Sequence, residues 1–297
     1  MSDSDSLHRF LFEHSGIRGN LVHLDASWRA VLDAHPYPDA VREPLGEALA
    51  AVALLAATIK LDGSLILQAQ GSGPIRTLVV QATSARTLRG LARWEGEVPE
   101  DGDLASRFGE GRLVLTVERR KGEPYQGIVP LAGQGIAQAM ERYFGDSEQL
   151  PTRLWLTASG QRAAGLLLQR LPGGTDDEHS SPSARDDWTR VGLLADTLSR
   201  DELAGLAASD LLHRLFHEDD LRLFEPEPLA FRCGCSRGRI QDMLRALGEA
   251  EAMSIVTERG EIEVICEFCN RSYRLDAVDA SQLFATASRH EAPAAHQ

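Results

Sequence analysis

The chain contains only four cysteines, and all of them fall within one short window. They are arranged as Cys233-Gly-Cys235 and, after 30 intervening residues, Cys266-Glu-Phe-Cys269. Two close thiol pairs brought together by the segment between them supply four sulfur ligands, the donor set of a tetrahedral Zn²⁺ site. Unconnected buried thiols have no reason to pair at such spacings. A secreted disulfide framework is the other common use of clustered cysteines. The N-terminal segment MSDSDS is acidic and polar, without the basic and apolar regions of a secretory signal. The longest apolar run, Ala48 to Ile59, is too short and too rich in alanine to span a bilayer. The expected location is therefore cytoplasmic, with no membrane partner, where thiols stay reduced and free to bind metal or to react.

The two pairs differ in kind. Cys-x-x-Cys alone suggests a thioredoxin-like oxidoreductase, but that chemistry needs the pair at a helix N-terminus after a strand. Here Cys266 and Cys269 lie in an expected β-turn between Glu261–Ile265 and Arg271–Leu275, with Asn270 placed where a positive φ is required. Structural zinc sites usually separate their ligands by two to four residues, whereas Cys233 and Cys235 have only Gly234 between them. Glycine lowers the cost of bending two sulfurs onto one ion, and would let them close on each other once the ion leaves. Arg232, Arg237, Arg239, Arg271 and Arg274 crowd these positions and favour thiolates, the species that binds metal and meets oxidants. A purely structural zinc module is the competing reading. Ser236 is expected to cap a helix over Arg237–Leu247 that stops at Gly248.

Other motifs are weak. His213 and His217 have the i, i+4 spacing of a helix-borne metal pair but no third ligand, which suits solvated histidines. Gly71-Ser-Gly73 lacks the rest of a dinucleotide fingerprint, and Gly16-Ile-Arg-Gly19 is expected to be a turn. With no P-loop, no His-Glu-x-x-His and no Gly-x-Ser-x-Gly, no catalytic constellation stands out, and the chain is not expected to be an enzyme. The net charge of −13 opposes binding to a phosphate backbone, so a nucleic-acid role for the cysteine module is disfavoured.

The elements that must position the cysteines follow from periodicity. Residues 1–172 are expected to form a mixed α and β domain. A helix from Pro44 to Ile59, with Pro in its first turn, is followed by strands at Ser64–Gln70, Ile75–Ala82, Arg112–Arg120 and Tyr125–Leu131. A short helix at Ile136–Phe144 and a strand pair at Arg153–Ala158 and Gly165–Leu171 complete an α+β arrangement. A Gly-, Pro-, Ser- and Asp-rich stretch from Pro172 to Asp187 marks a boundary. Residues 173–230 carry 14 acidic and 5 basic side chains. Their apolar residues (Trp188, Val191, Leu194, Leu198, then Leu203, Leu211, Leu215 and Phe216) fall at helical spacing, with a capping box at Ser199-Arg-Asp-Glu202. A thin apolar stripe on short, self-repelling helices predicts a mostly helical linker that unfolds cheaply. Residues 231–275 form the cysteine module, and 276–297 a C-terminal helix ending in a disordered tail after Ser288.

Taken together, these residues resemble a known family. The spacing of Cys233, Cys235, Cys266 and Cys269 near the end of an acidic chain of this length is similar to that of the redox-regulated 33 kDa heat-shock chaperones. Further stretches share the likeness: IRGNLV at 17–22, YQGIV at 125–129, YFGDSEQLPTR at 143–153 and LHRLFHE at 212–218. Asn270 departs from the glycine that the family often carries there. The resemblance implies an ATP-independent holdase, inactive while reduced and loaded with one Zn²⁺ per chain on the four cysteines. It implies that oxidation joins Cys233 to Cys235 and Cys266 to Cys269, expels Zn²⁺, and unfolds the module and linker to capture unfolding clients. It also implies that the active form is a homodimer. A constitutive binding protein with a purely structural zinc module is the alternative.

Overall fold

The computed structural model describes residues 4–131, 135–172 and 182–288. The chain divides into two compact units, residues 1–232 and 233–297. The first contains strands β1 (Ser6–Phe12) and β2 (Ile17–Leu24), helices α1 (Ala26–Leu32) and α2 (Asp39–Ala56), and strands β3 (Gly63–Gly71), β4 (Ile75–Thr83) and β5 (Thr87–Trp94). Then come α3 (Leu104–Phe108), β6 (Gly111–Arg119), β7 (Tyr125–Pro130), α4 (Ile136–Asp146), β8 (Thr152–Ala158) and β9 (Ala163–Arg170). Helices α5 (Pro182–Asp196), α6 (Arg200–Gly205) and α7 (Ala208–Phe216) precede the short strands β10 (Leu221–Leu223), β11 (Glu227–Pro228) and β12 (Ala230–Phe231).

Two sheets form this unit. The first runs β10-β1-β2-β9-β8, with β11 also pairing to β1; the second runs β12-β5-β4-β3-β6-β7. Helix α2 touches strands of both. It is buried nearly all round, from Val41 and Leu45 through Leu54 and Leu55, as its apolar and alanine-rich sequence dictates. The helix starts earlier than its sequence suggested. Pro38 occupies the N-cap, and Pro44 lies inside the helix, not in its first turn. Proline has no N–H to donate four residues back, so burial on all sides has to offset that lost bond.

The first sheet is buried on both faces. One face joins the core around α2, through Leu7, Val22 and Leu167. The other presents Phe10, Phe12, Ile17, Leu21, Leu166 and Leu168 to Val191 of α5, Leu203 of α6, and Leu211, Leu215 and Phe216 of α7. Alternating strand side chains make this possible. The expected turn at Gly16-Ile-Arg-Gly19 is instead mostly strand: only Gly16 turns, with φ of 63°, and β2 begins at Ile17. Gly19 sits beneath the Phe10 ring, where an added Cβ would lie 2.0 Å from the ring edge. The missing side chain, not a bend, explains that glycine. The capping box at Ser199 is present, with Ser199 accepting from the Glu202 N–H and Glu202 accepting in return. Residues 173–181 of the expected boundary and the tail after Ser288 lie outside the described residues.

The second unit has helices α8 (Arg237–Leu247) and α9 (Glu249–Arg259), the hairpin β13 (Glu261–Ile265) and β14 (Ser272–Asp276), and α10 (Ala277–Ser288). Its core is small: Ile240, Leu244, Val256, Ile262, Leu275 and Leu283 are its main aliphatic members. Met243, Leu247, Ile265 and Val278 are exposed, between 48% and 62%. A unit with so little buried apolar surface needs another source of stability.

Candidate metal centre

Each cysteine pair is delivered by local structure. Cys233 and Cys235 lie in the irregular segment just before α8, whose N-cap Ser236 accepts from the Arg239 N–H at 3.3 Å. Gly234 leaves room for the Arg239 guanidinium, which an added Cβ would meet at 3.0 Å. Cys266 and Cys269 occupy the tip of the β13–β14 hairpin. There the Cys266 carbonyl accepts from the N–H groups of Cys269 at 3.3 Å and Asn270 at 2.7 Å. The Cys266 N–H donates to the Arg271 carbonyl at 2.9 Å. Asn270 has φ of 55°, the left-handed conformation that lets the chain turn back beneath the sulfurs.

The four Sγ atoms all lie within 4.8 Å of one another, and each residue is half-buried. Cys233 and Cys266 approach to 3.5 Å, and Cys235 and Cys269 to 3.4 Å. Four thiolates around one ion at about 2.3 Å place sulfurs about 3.8 Å apart, so this donor set fits a four-sulfur metal site. Among the described residues, no other group of three or more His, Cys, Asp or Glu side chains converges in this way. His213 on α7 and His217 at its C-cap are both exposed, with ring centroids 5.8 Å apart.

Protons are shared unevenly among the sulfurs. Burial pushes the Cys233 thiol up, and together with hydrogen bonds from its neighbours it pushes Cys269 up to about 12. Burial also opposes ionisation of Cys235, but hydrogen bonds from Tyr273 and the other thiols outweigh it and draw Cys235 down to about 7. The Tyr273 hydroxyl donates to Cys235 Sγ across 3.1 Å. Tyr273 went unnoticed in the sequence, although strand alternation on β14 places it inward together with Leu275. The arginines need a correction. Arg237 is committed to the Arg274 carbonyl and Asp279, and Arg274 to Glu261 and Glu263. Arg271 is the cation whose charge is coupled to Cys235 and Cys269, and Arg239 reaches Gly234.

A model of the family described as Hsp33 protein matches residues 5–276, all four cysteines included. This chain belongs to the Hsp33 family. It is 57% identical over 284 residues to a 33 kDa chaperonin of Nitrosococcus oceani, covering 96% of each chain. It is 50% identical to a 33 kDa chaperonin of Azotobacter vinelandii, again over 96% of each. The Hsp33 homologue of Thermotoga maritima, a 33 kDa chaperonin solved by crystallography, superposes with a TM-score of 0.83 over 96% of this chain and 99% of its own, at 24% identity. That likeness extends the Hsp33 fold to this chain: an α+β body followed by a small cysteine-bearing unit.

Proposed function

We propose that this Hsp33-family chain is an ATP-independent holdase of the cytoplasm, inactive while its thiols are reduced and activated by oxidation. The observation that carries the proposal is the gathering of four half-buried sulfurs within 4.8 Å in a unit with little core of its own. Cys233, Cys235, Cys266 and Cys269 would hold one Zn²⁺ per chain. Bound there, the ion would supply folding free energy, on the order of 10 kcal/mol or more for a module whose fold depends on metal. The residues do the rest. The Tyr273 hydroxyl and the nearby Arg271 charge favour thiolate at the site. A thiolate attacks hydrogen peroxide, giving a sulfenic acid and, with one proton, a water; the second thiol of the pair then displaces the other water. Each disulfide thus takes two electrons from two sulfurs and reduces one peroxide to two waters.

Sulfurs tied as Cys233–Cys235 and Cys266–Cys269 no longer offer four thiolates, and the second unit loses its staple. Strand β12 runs by way of Arg232 directly into Cys233, so unfolding propagates along the chain into the acidic segment 173–230. Release of α5–α7 uncovers Phe10, Phe12, Leu166 and their neighbours on the first sheet. That apolar face is where unfolding clients would be held, and pairing of uncovered faces between two copies would account for a homodimer. The test is light scattering from a heat-denaturing client mixed with the reduced, zinc-loaded protein or with the peroxide-oxidised protein. Suppression by the oxidised form alone is expected. Equal suppression by both forms would leave a constitutive binding protein with a structural metal.

A further inference from the structure

Lys60 and Lys121 are the only lysines of the chain, and both line one cavity of about 550 Å³ in the first unit. Its size falls within the ~300–1,000 Å³ typical of small-molecule sites. It opens among the C-terminal end of α2, strands β3 and β6, and α4. The buried residues Leu55, Leu65, Leu115 and Phe144 form its floor, and Arg18 and Arg119 join the two lysines at its rim.

The acids that also line it are already engaged. Asp62 lies 3.4 Å from Arg120, and Glu148 Oε1 accepts from the hydroxyls of Tyr143 at 2.5 Å and Tyr125 at 2.9 Å. Arg18 donates from Nε, at 3.1 Å, and from Nη2 to the neutral Gln169 side chain. Among the described residues, none of the four rim cations has a carboxylate partner. In a chain where 44 acids outnumber 31 bases, a hollow lined by four cations against two carboxylates is the reverse of the general surface. An apolar floor takes up an apolar body, and a cationic rim takes up an anionic head.

We propose that this cavity binds a single-chain amphiphile with one anionic head group, a carboxylate or a sulfonate, one molecule per chain. The site lies in the first unit and uses none of the cysteines, so it stands independently of the redox proposal. The test uses the full-length reduced protein and dodecanoate below its micelle concentration, followed by calorimetry, with dodecyltrimethylammonium as the cationic analogue. One-to-one binding of dodecanoate is expected, with the cationic analogue weaker by about tenfold or more. The doubly substituted Lys60→Glu/Lys121→Glu protein should lose about tenfold or more in affinity for dodecanoate. Lys60→Arg/Lys121→Arg should retain it, because the charge is kept. As a check free of substitutions, dodecanoate should slow acetylation of both lysines in the unaltered protein, and the cationic analogue should not. Equal binding of both amphiphiles, non-saturating uptake, undiminished affinity in the Glu variant or unprotected lysines would overturn the assignment.

Discussion

Tyr273 is a single hydroxyl beside four sulfurs, and it acts on one of them. Donation to Cys235 Sγ stabilises that sulfur as thiolate and keeps the proton on the phenol, whose own pKa is raised by the same contact. Groups that orient metal ligands typically alter affinity by 10–100-fold when removed. Tyr273→Phe should therefore weaken zinc retention by about tenfold, measured by competition with a chromophoric chelator under reducing conditions, with the fold of the first unit unchanged. Disulfide connectivity is a second residue-scale question. Sulfurs of different pairs come close, Cys233 to Cys266 at 3.5 Å and Cys235 to Cys269 at 3.4 Å. Folded proximity thus does not select bonds within a pair. Chain connectivity does, because neighbouring thiols keep a high effective concentration after the hairpin and α8 part. Peptide mapping of the oxidised protein should find Cys233 joined to Cys235 and Cys266 to Cys269; predominant cross-pairs would mean that bonds form before the unit opens. At this scale the four cysteines, Ser236 and Asn270 could be read from spacing and capping chemistry alone. Tyr273 and the sorting of the arginines could not, since partners such as Asp279 and Glu263 are chosen by packing.

Helix α6 shows how elements of the first unit are fastened. Arg200, at its start, pairs with Glu43 at 2.7 Å and Glu47 at 3.0 Å, both on α2. Near its end, the Arg162 guanidinium bridges Asp25 and the Ala204 carbonyl. Glu47 is the unusual member. Burial pushes its pKa up to about 7 in spite of the neighbouring arginine. The folded chain therefore keeps a proton there that an unfolded carboxyl, near 4.5, has already lost. Across that window the folded state binds more protons, so this residue's contribution to stability falls as pH rises from about 4.5 through about 7. Glu47→Gln should remove that slope, worth on the order of 1–3 kcal/mol, in urea denaturation compared at pH 5 and pH 7.5. An unchanged pH dependence would place the charge of Glu47 in full reach of water. Many helices and strands here were visible as periodicity, but β1, β2, β5, the short strands β10–β12 and the helices α1, α3 and α9 were not anticipated. Leu88, Leu91 and Ala92 of β5 are buried at mixed intervals, so the strand lacks a clean two-residue alternation.

At the scale of the molecule, two units differ in what stabilises them. The first has two sheets sharing a buried helix and a second apolar cluster under α5–α7. The second relies on one hairpin, three helices and a short list of buried side chains. Chelation of the reduced protein should therefore raise hydrogen exchange across residues 233–288, with 182–230 following, while β2, β3, β4 and β9 stay protected. Restoring zinc under reducing conditions should reverse both changes. Full protection of 182–230 in the metal-free, oxidised protein would remove the linker from the switch. An N-terminal α+β region and a C-terminal cysteine cluster with a β-hairpin were legible in the sequence, whereas the boundary expected at Pro172–Asp187 does not divide the units, since 173–230 falls with the first. The tight coverage of the first sheet by α5–α7 was not legible, because two of the covered strands, β1 and β2, lie more than a hundred residues earlier in the chain.

The pairing of β1 carries one further consequence. On one side it is bonded to β2; on the other its backbone is met by β10 and β11, with the Phe224 N–H on the Arg9 carbonyl at 2.9 Å and the Leu229 N–H on the Asp5 carbonyl at 2.7 Å. Both covering strands belong to the acidic segment proposed to detach. When they leave, β1 becomes an open edge, a row of unpaired amides and carbonyls beside the uncovered rings of Phe10 and Phe12. Such an edge accepts any extended chain through its backbone, whatever its side chains, by adding one more strand to the sheet. A chaperone that must hold unrelated proteins in their unfolding states would gain from that indifference to sequence.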